Sequence, residues 1–213
     1  MKKKKINNLF FIKKIKILEA SKKILMIRSW DEKSLSLISK KTNISANEIN
    51  LLFPNAFFDL IIFSLDQINI ELERKFQTYN ILRFPLHLRI KKILMHKFNL
   101  MNKNKKFYNK IFFNLLLPSK NQFKLKQLYK SVDIIWYIAA DNSTDFNFYT
   151  KRMILAGIYI RLMLFFFNNN DLIKLEELLD KDLKRVLKIP KLKAKFKIVK
   201  ENIPNIMRVI KNF

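Results

Sequence analysis

The chain has 213 residues, enough for one sizeable domain or two small ones, and 49% of them are apolar, 20 of them Phe. A single Gly and five Pro argue against sandwiches and barrels, whose tight turns need positive φ, and favour long helices with short Asn, Ser and Lys connections. The 43 Lys and Arg against 17 Asp and Glu give a formal charge of +26, a field that attracts polyanions such as nucleic acid or an anionic membrane face.

Lys, Asn, Ile and Phe are the residues an AT-rich genome favours, so only localised clusters of charge count as a functional signal. The absence of cysteine excludes a disulfide framework, a thiolate nucleophile and zinc–thiolate sites. No window reaches the ~18 uncharged apolar residues of a spanning helix. Leu155 to Phe167 comes nearest, and Arg161 interrupts it. Lys2 to Lys5 precede only Leu9-Phe10-Phe11-Ile12, too short for a signal-peptide core. The expectation is a soluble or peripheral protein.

In chain order, residues 1–12 read as a basic tail. Ile15, Leu18, Ile24, Leu25 and Ile27 keep helical spacing up to Ser29-Trp30-Asp31. A second helix is predicted over Glu32 to Lys41. After the turn Asn43-Ile44-Ser45, a third helix starts on a capping box of Ser45 and Glu48 and meets Pro54. Residues 13–66 thus form a helix-turn-helix-like region of three short helices and the start of a fourth. Residues 67–188 carry the remaining helices: the rest of Phe57 to Thr78, then Leu86 to Leu100, Phe107 to Leu117, Phe123 to Asp141, Thr144 to Phe167 and Asp171 to Leu187. Met101 to Lys106 reads as a loop. Residues 189–213 form a C-terminal segment beyond Ile189-Pro190.

Sites for catalysis are scarce. His87 and His96 are nine residues apart, which places them on opposite faces of one helix and prevents a shared metal. Phe84 and Ile93 occupy the places where a di-iron site needs Glu. One glycine cannot build a Walker loop or a dinucleotide turn. The reading is a non-enzyme with no cofactor, no metal and no catalytic residue.

The densest local signal runs from Trp136 to Arg152. Asp141, Asn142, Ser143 and Thr144 separate two aromatic-rich helices, and Ser143 or Thr144 caps the second with Asp145 in its first turn. Phe148 and Tyr149 lie 100° apart, so one of them faces away from the core seam.

Asp141 to Tyr159, DNSTDFNFYTKRMILAGIY, closely resembles the signature of the lipid-binding accessory family of ubiquinone biosynthesis, the ninth coenzyme Q accessory protein. Leu52-Phe53-Pro54-Asn55-Ala56-Phe57-Phe58-Asp59-Leu60 resembles the family's Phe-Pro-Gly-Gly-x-x-Asp-Leu element, and Leu115-Leu116-Leu117-Pro118 its Leu-x-Leu-Pro turn. The likeness covers residues 15–213, with the central motif the specific part.

The resemblance implies an all-α fold like TetR-type regulators, with a degenerate N-terminal helix-turn-helix, a helical lipid-binding region and a C-terminal amphipathic helix. It implies an isoprenoid quinone precursor or a phospholipid as ligand, presented to the demethoxyubiquinone hydroxylase. A homodimer is expected, on the cytoplasmic face of a bacterial inner membrane or the matrix side of the mitochondrial one. Arg152 matches an arginine that fits a lipid phosphate, with a salt bridge to Asp145 or Asp141 as the alternative. Trp136, Phe146 and Leu155 join it as lipid-contacting residues. The partner surface is expected at Ile135, Asp145, Phe148 and Tyr149, with Phe148 standing where the family usually has Trp.

The same fold raises the alternative of a DNA-binding regulator. Ser45 to Phe53 contains no basic residue and includes Glu48, while Asn50 and Ala56 replace the Tyr and Lys typical of such recognition helices. Specific DNA binding is therefore disfavoured. The C-terminal segment reads instead as a basic amphipathic helix that meets an anionic membrane surface through Lys191, Lys193, Phe196, Lys197, Lys200, Ile206 and Ile210, with a kink at Pro204.

Overall fold

The computed structural model describes the backbone of residues 2–116, 121–141 and 145–188, and their side chains from Asn8 onward except at 116, 121–125 and 145–147. The described residues are all-α. They form α1 (Lys2–Ile24), α2 (Glu32–Thr42), α3 (Ala46–Leu52), α4 (Phe57–Gln77), a 3-10 turn (Ile81–Arg83), α5 (Leu86–Asn102), α6 (Lys105–Leu116), α7 (Asn121–Ile138) and α8 (Asp145–Asn168), then α9 over 172–188. The expected C-terminal helix of 189–213 and the Leu-Pro step at Leu117-Pro118 lie outside the described residues. The chain divides into two compact units, Met1–Arg152 and Met153–Phe213, and α8 spans the boundary.

In the first unit α1, α2 and α3 touch one another, and α4, α5 and α7 pack together with α6 against α5. The helix-turn-helix corner arises from local chemistry. Asp31 caps α2 by accepting from the Ser34 N–H at 2.7 Å. Asn43 then takes the left-handed conformation (φ 56°) that ends α2, one of the few non-glycine residues that tolerates it. Ser45 accepts from the Glu48 N–H at 3.2 Å, half of the expected capping box. The reciprocal half is absent from the described contacts because the Glu48 carboxylate pairs with Lys13 of α1. The corner is thereby tied to the long first helix.

That helix extends further back than expected. Residues 2–12, read as tail, continue α1 as helix to Lys2. The apolar positions Phe11, Ile15 and Leu18 continue the helical spacing across the supposed boundary, and Phe11 meets Phe63 of α4 edge-on at 6.0 Å. Met101 to Lys106 is likewise not a loop: Asn104 accepts from the Tyr108 N–H at 3.2 Å and starts α6 two residues after α5 ends.

Glycine scarcity shows in the backbone. Ala56, at a position where the resembling family carries Gly, holds φ 53° and ψ −129°, a region favourable only to glycine. Asp59 supports this turn by accepting from the Asn55 N–H at 2.8 Å. The side chain of Ala56 costs about 1 kcal/mol or more there.

The core positions of α5 are Ile90, Ile93, Leu94, Lys97, Phe98 and Met101, a helical stripe in which one member is a lysine. Lys97 is 1% exposed and donates to Asn69 Oδ1 of α4 at 3.2 Å. Burial pushes its ammonium down from the ordinary 10.5 to about 7. Between those values the unfolded chain holds a proton that the folded chain releases, so stability rises with pH across the window, and the full cost of burying the charge is present below 7. Unfolding by urea at pH 7 and pH 10 should show native stability increasing relative to Lys97→Met by about 3 kcal/mol. Parallel behaviour of the two proteins would mean Lys97 titrates normally.

The second unit is described through the later turns of α8 and through α9. Asp171 starts α9 by accepting from the Ile173 and Lys174 N–H groups at 2.9 and 3.0 Å. Leu175, Leu179 and Leu183 are buried, as their spacing predicts, while Leu172 is half-buried. Asp182, 5% exposed, pairs with Arg161 of α8.

Candidate functional site

The stretch from Trp136 to Arg152 forms the corner between α7 and α8. Helix α7 ends in a Schellman arrangement: the Asp141 N–H reaches back to the Trp136 carbonyl at 3.2 Å and the Ala140 N–H to Tyr137 at 2.9 Å, with Ala140 at φ 53°. Arg89 of α5 completes the end. Its guanidinium donates to the carbonyls of Ala139 (3.0 Å), Leu82 (3.0 Å) and Phe84 (2.7 Å), so a fixed cation sits at the negative pole of α7.

Two consecutive cations of α8 then hold the corner. Lys151 pairs with Asp141 at 2.6 Å and lies 5.6 Å from the Trp136 ring centre. Arg152 pairs with Asp133 of α7 through Nε (2.8 Å) and a terminal nitrogen (2.7 Å), and donates to the Phe148 carbonyl at 3.3 Å. Its guanidinium carbon stands 3.3 Å from the Phe148 ring centre. The described partner of Arg152 is therefore Asp133 rather than Asp141, and the Asp145 side chain lies outside the described residues. Asp141 is taken by Lys151, whereas Asp133 lies two turns down α7, within reach of the longer, planar guanidinium.

The expected site residues separate into inside and outside. Trp136 is 6% exposed, and its indole Nε1–H is buried without a hydrogen-bond acceptor among the described residues. Leu155, further along α8, is 2% exposed. Tyr149 is 64% exposed, while Phe148 is half-buried between Tyr149, edge-on at 5.2 Å, and Arg152. One member of the aromatic pair points outward, as their 100° separation requires. Ile135 was expected on the partner surface, and this is corrected: it is fully buried. Val132, Ile135, Trp136 and Ala139 form part of the inward stripe of α7, and Tyr137, 73% exposed, is turned to solvent. The side chains of Asp145 and Phe146 and the membrane-facing set Lys191, Lys193, Phe196, Lys197, Lys200, Ile206 and Ile210 lie outside the described residues.

Asp133, Lys151 and Arg89 went unnoticed in the sequence. Asp133 had a signal: it is the single acid in α7, which carries Lys124, Lys126 and Lys130. Arg89 had none, because its partners are backbone carbonyls, which carry no residue-type signal.

This corner is also where similarity to known proteins concentrates. Residues 122–190 match the family described as COQ9. The ubiquinone biosynthesis protein COQ9 of Rattus norvegicus, a mitochondrial protein, is 53% identical over 45 residues, 21% of this chain and 14% of its own length. Through this segment the chain is similar to the COQ9 family. The Homo sapiens COQ9 is 49% identical over the same length with the same coverage, and the Xenopus laevis COQ9-B is 40% identical over 63 residues, 30% of this chain and 19% of its own length. The matched stretches thus span less than a fifth of these COQ9 proteins. All three are mitochondrial, and the expectation of a bacterial inner membrane finds no support in them.

The helix-turn-helix alternative meets a clear obstacle. The described outward positions of α3 are Ala46, Asn47, Asn50 and Leu51, the last 79% exposed. A face without a cation suits phosphate contact poorly, while Asn47 and Asn50 keep amides able to meet adenine edges.

The geometry predicts different roles for neighbouring side chains. Arg152→Met removes a buried ion pair whose partner is half exposed and should lower unfolding free energy by about 2 kcal/mol. Tyr149→Ala should change it by less than about 0.5 kcal/mol. Urea unfolding of both variants measures this, and equal effects would contradict the inside-outside assignment.

Proposed function

We propose that the chain is a non-catalytic accessory protein of ubiquinone biosynthesis that binds an isoprenoid quinone precursor and presents it to the demethoxyubiquinone hydroxylase. The observation that carries this reading is the buried Trp136 N–H without an acceptor among the described residues, inside the segment matched to COQ9. A buried donor left unmade costs about 1–3 kcal/mol, and a ring oxygen of a quinone head would satisfy it. Lys151, paired with Asp141, holds its ammonium near the face of the same indole. The apolar stripe of α7 suits an isoprenoid tail.

Of the two ligands expected, the geometry favours the quinone precursor over a phospholipid. Arg152, the group suited to a phosphate, is engaged by Asp133 and Phe148. A phosphate would have to displace a carboxylate already bound through two nitrogens. A quinone makes no such demand.

Tyr149 is the docking residue in this reading. An exposed aromatic braced by Phe148 is a suitable interface anchor, since it loses little conformational freedom on binding. The relatives' printed location supports a mitochondrial protein, and in this reading it sits peripherally on the inner membrane, with the C-terminal segment from Lys191 to Ile210 as its membrane contact. No single described helix is long and apolar enough to cross a bilayer. A homodimer belongs to the same proposal.

Mass spectrometry of lipid extracted from purified protein should recover an isoprenoid quinone precursor. Trp136→Phe, which keeps a flat ring but removes the donor, should retain about fivefold to tenfold less of it. Tyr149→Ala should keep the lipid and lose the hydroxylase in a pull-down. Recovery of no isoprenoid, or of phospholipid alone at equal levels from both proteins, would overturn the reading.

A further inference from the structure

The first turns of α1 carry a band that the rest of the fold does not use. Leu9, Phe10, Phe11 and Ile12 are consecutive and helical, and their exposures are 53%, 46%, 45% and 46%. Four consecutive helical residues sweep 300° around the axis, so apolar surface faces outward on nearly every side rather than along one stripe. Phe11 leans on Phe63 at one edge. The remainder of the band is open to solvent. A groove on a protein covers one face of a helix. An environment apolar on every side is the interior edge of a lipid leaflet.

The flanking charge fits that occupant. Among the first 18 residues there are seven lysines (Lys2, Lys3, Lys4, Lys5, Lys13, Lys14 and Lys16) and no acid. Lys13 is held by Glu48, Lys14 lies over the Phe53 and Phe63 rings, and Lys16 is exposed. Cations on both sides of an apolar band match the headgroup layer of an anionic bilayer, where apolar insertion and charge act together. Nucleic acid would use the lysines and leave the four apolar side chains in water.

We propose that the N-terminal half of α1 is a membrane-insertion element, with Leu9, Phe10 and Ile12 entering the headgroup–acyl boundary of an anionic bilayer to which the lysine-rich sequence around them is drawn. This contact is separate from the C-terminal segment and from the lipid bound at the α7–α8 corner.

The test uses the full chain, which has no cysteine, so Phe10→Cys carries an environment-sensitive fluorophore at one site. Ile27→Cys, at an 88% exposed position past the other end of α1, is the reference. With vesicles of phosphatidylcholine plus phosphatidylglycerol, the probe at position 10 should brighten and shift to the blue, and lipid-borne quenchers should quench it. The probe at position 27 should not respond, and vesicles of phosphatidylcholine alone should give little change. Replacing Leu9 and Phe10 together by Gln should weaken vesicle cosedimentation about tenfold. Vesicle binding with an unchanged probe at position 10 would overturn the proposal and leave the quinone-presenting function standing. So would the absence of vesicle binding, or a blue shift that needs no lipid and grows with protein concentration, which would assign the band to a second copy of the chain.

Discussion

The α7–α8 corner depends on two adjacent cations that reach two acids eight residues apart. Lys151 takes Asp141 at the end of α7 and Arg152 takes Asp133 two turns earlier. Because the cations are consecutive on α8, these pairs fix the rotation of its first turns, up to Arg152, against α7. Tyr149 must then face solvent, and Phe148 is trapped between it and the guanidinium. Arg89 secures the same corner from α5 by holding the Ala139 carbonyl. Charged groups half shielded by the fold are used here for geometry more than for stability, and a binding site needs that rigidity.

The same restraint gives Trp136 its position. The inward stripe of α7 carries it into the interior with its neighbours Ile135 and Ala139, and the indole N–H arrives there with no acceptor among the described residues. Most buried donors in proteins are satisfied, so an orphan of this kind calls for a reason. Its presence inside the segment shared with COQ9 proteins makes a ligand oxygen the economical one.

Much of this was legible from periodicity and capping chemistry. The helices over residues 32–42, 57–77 and 86–102 fall where apolar spacing and the breaks at Asp31, Pro54 and Pro85 place them. Ser45 caps α3 as its spacing to Glu48 predicts, yet Glu48 itself goes to Lys13, because an ammonium from a distant helix competes better for a carboxylate than a backbone N–H. Ile135 was misjudged because position along a helix says little about rotation until a neighbouring face is known. The pairing of Arg152 escaped for the same reason, since Asp133 is distant in sequence. Lys97 shows two sequence signals in conflict: its place in the α5 stripe favours burial and its charge opposes it. The stripe prevailed, with Asn69 as its hydrogen-bond acceptor. Composition bias explains Ala56 and Ala140, which hold positive φ in a chain whose one glycine, Gly157, sits inside α8.

The central claim is that the Trp136 indole meets a quinone head. In a Trp30→Phe protein, Trp136 is the sole tryptophan, and its fluorescence can be titrated with a prenylated benzoquinone, which quenches indole at close range. Saturable quenching at one site per chain, weakened by Lys151→Met and not reproduced by a prenyl alcohol of equal length, is the predicted result. Quenching that rises linearly without saturation, or equally for both compounds, would contradict it.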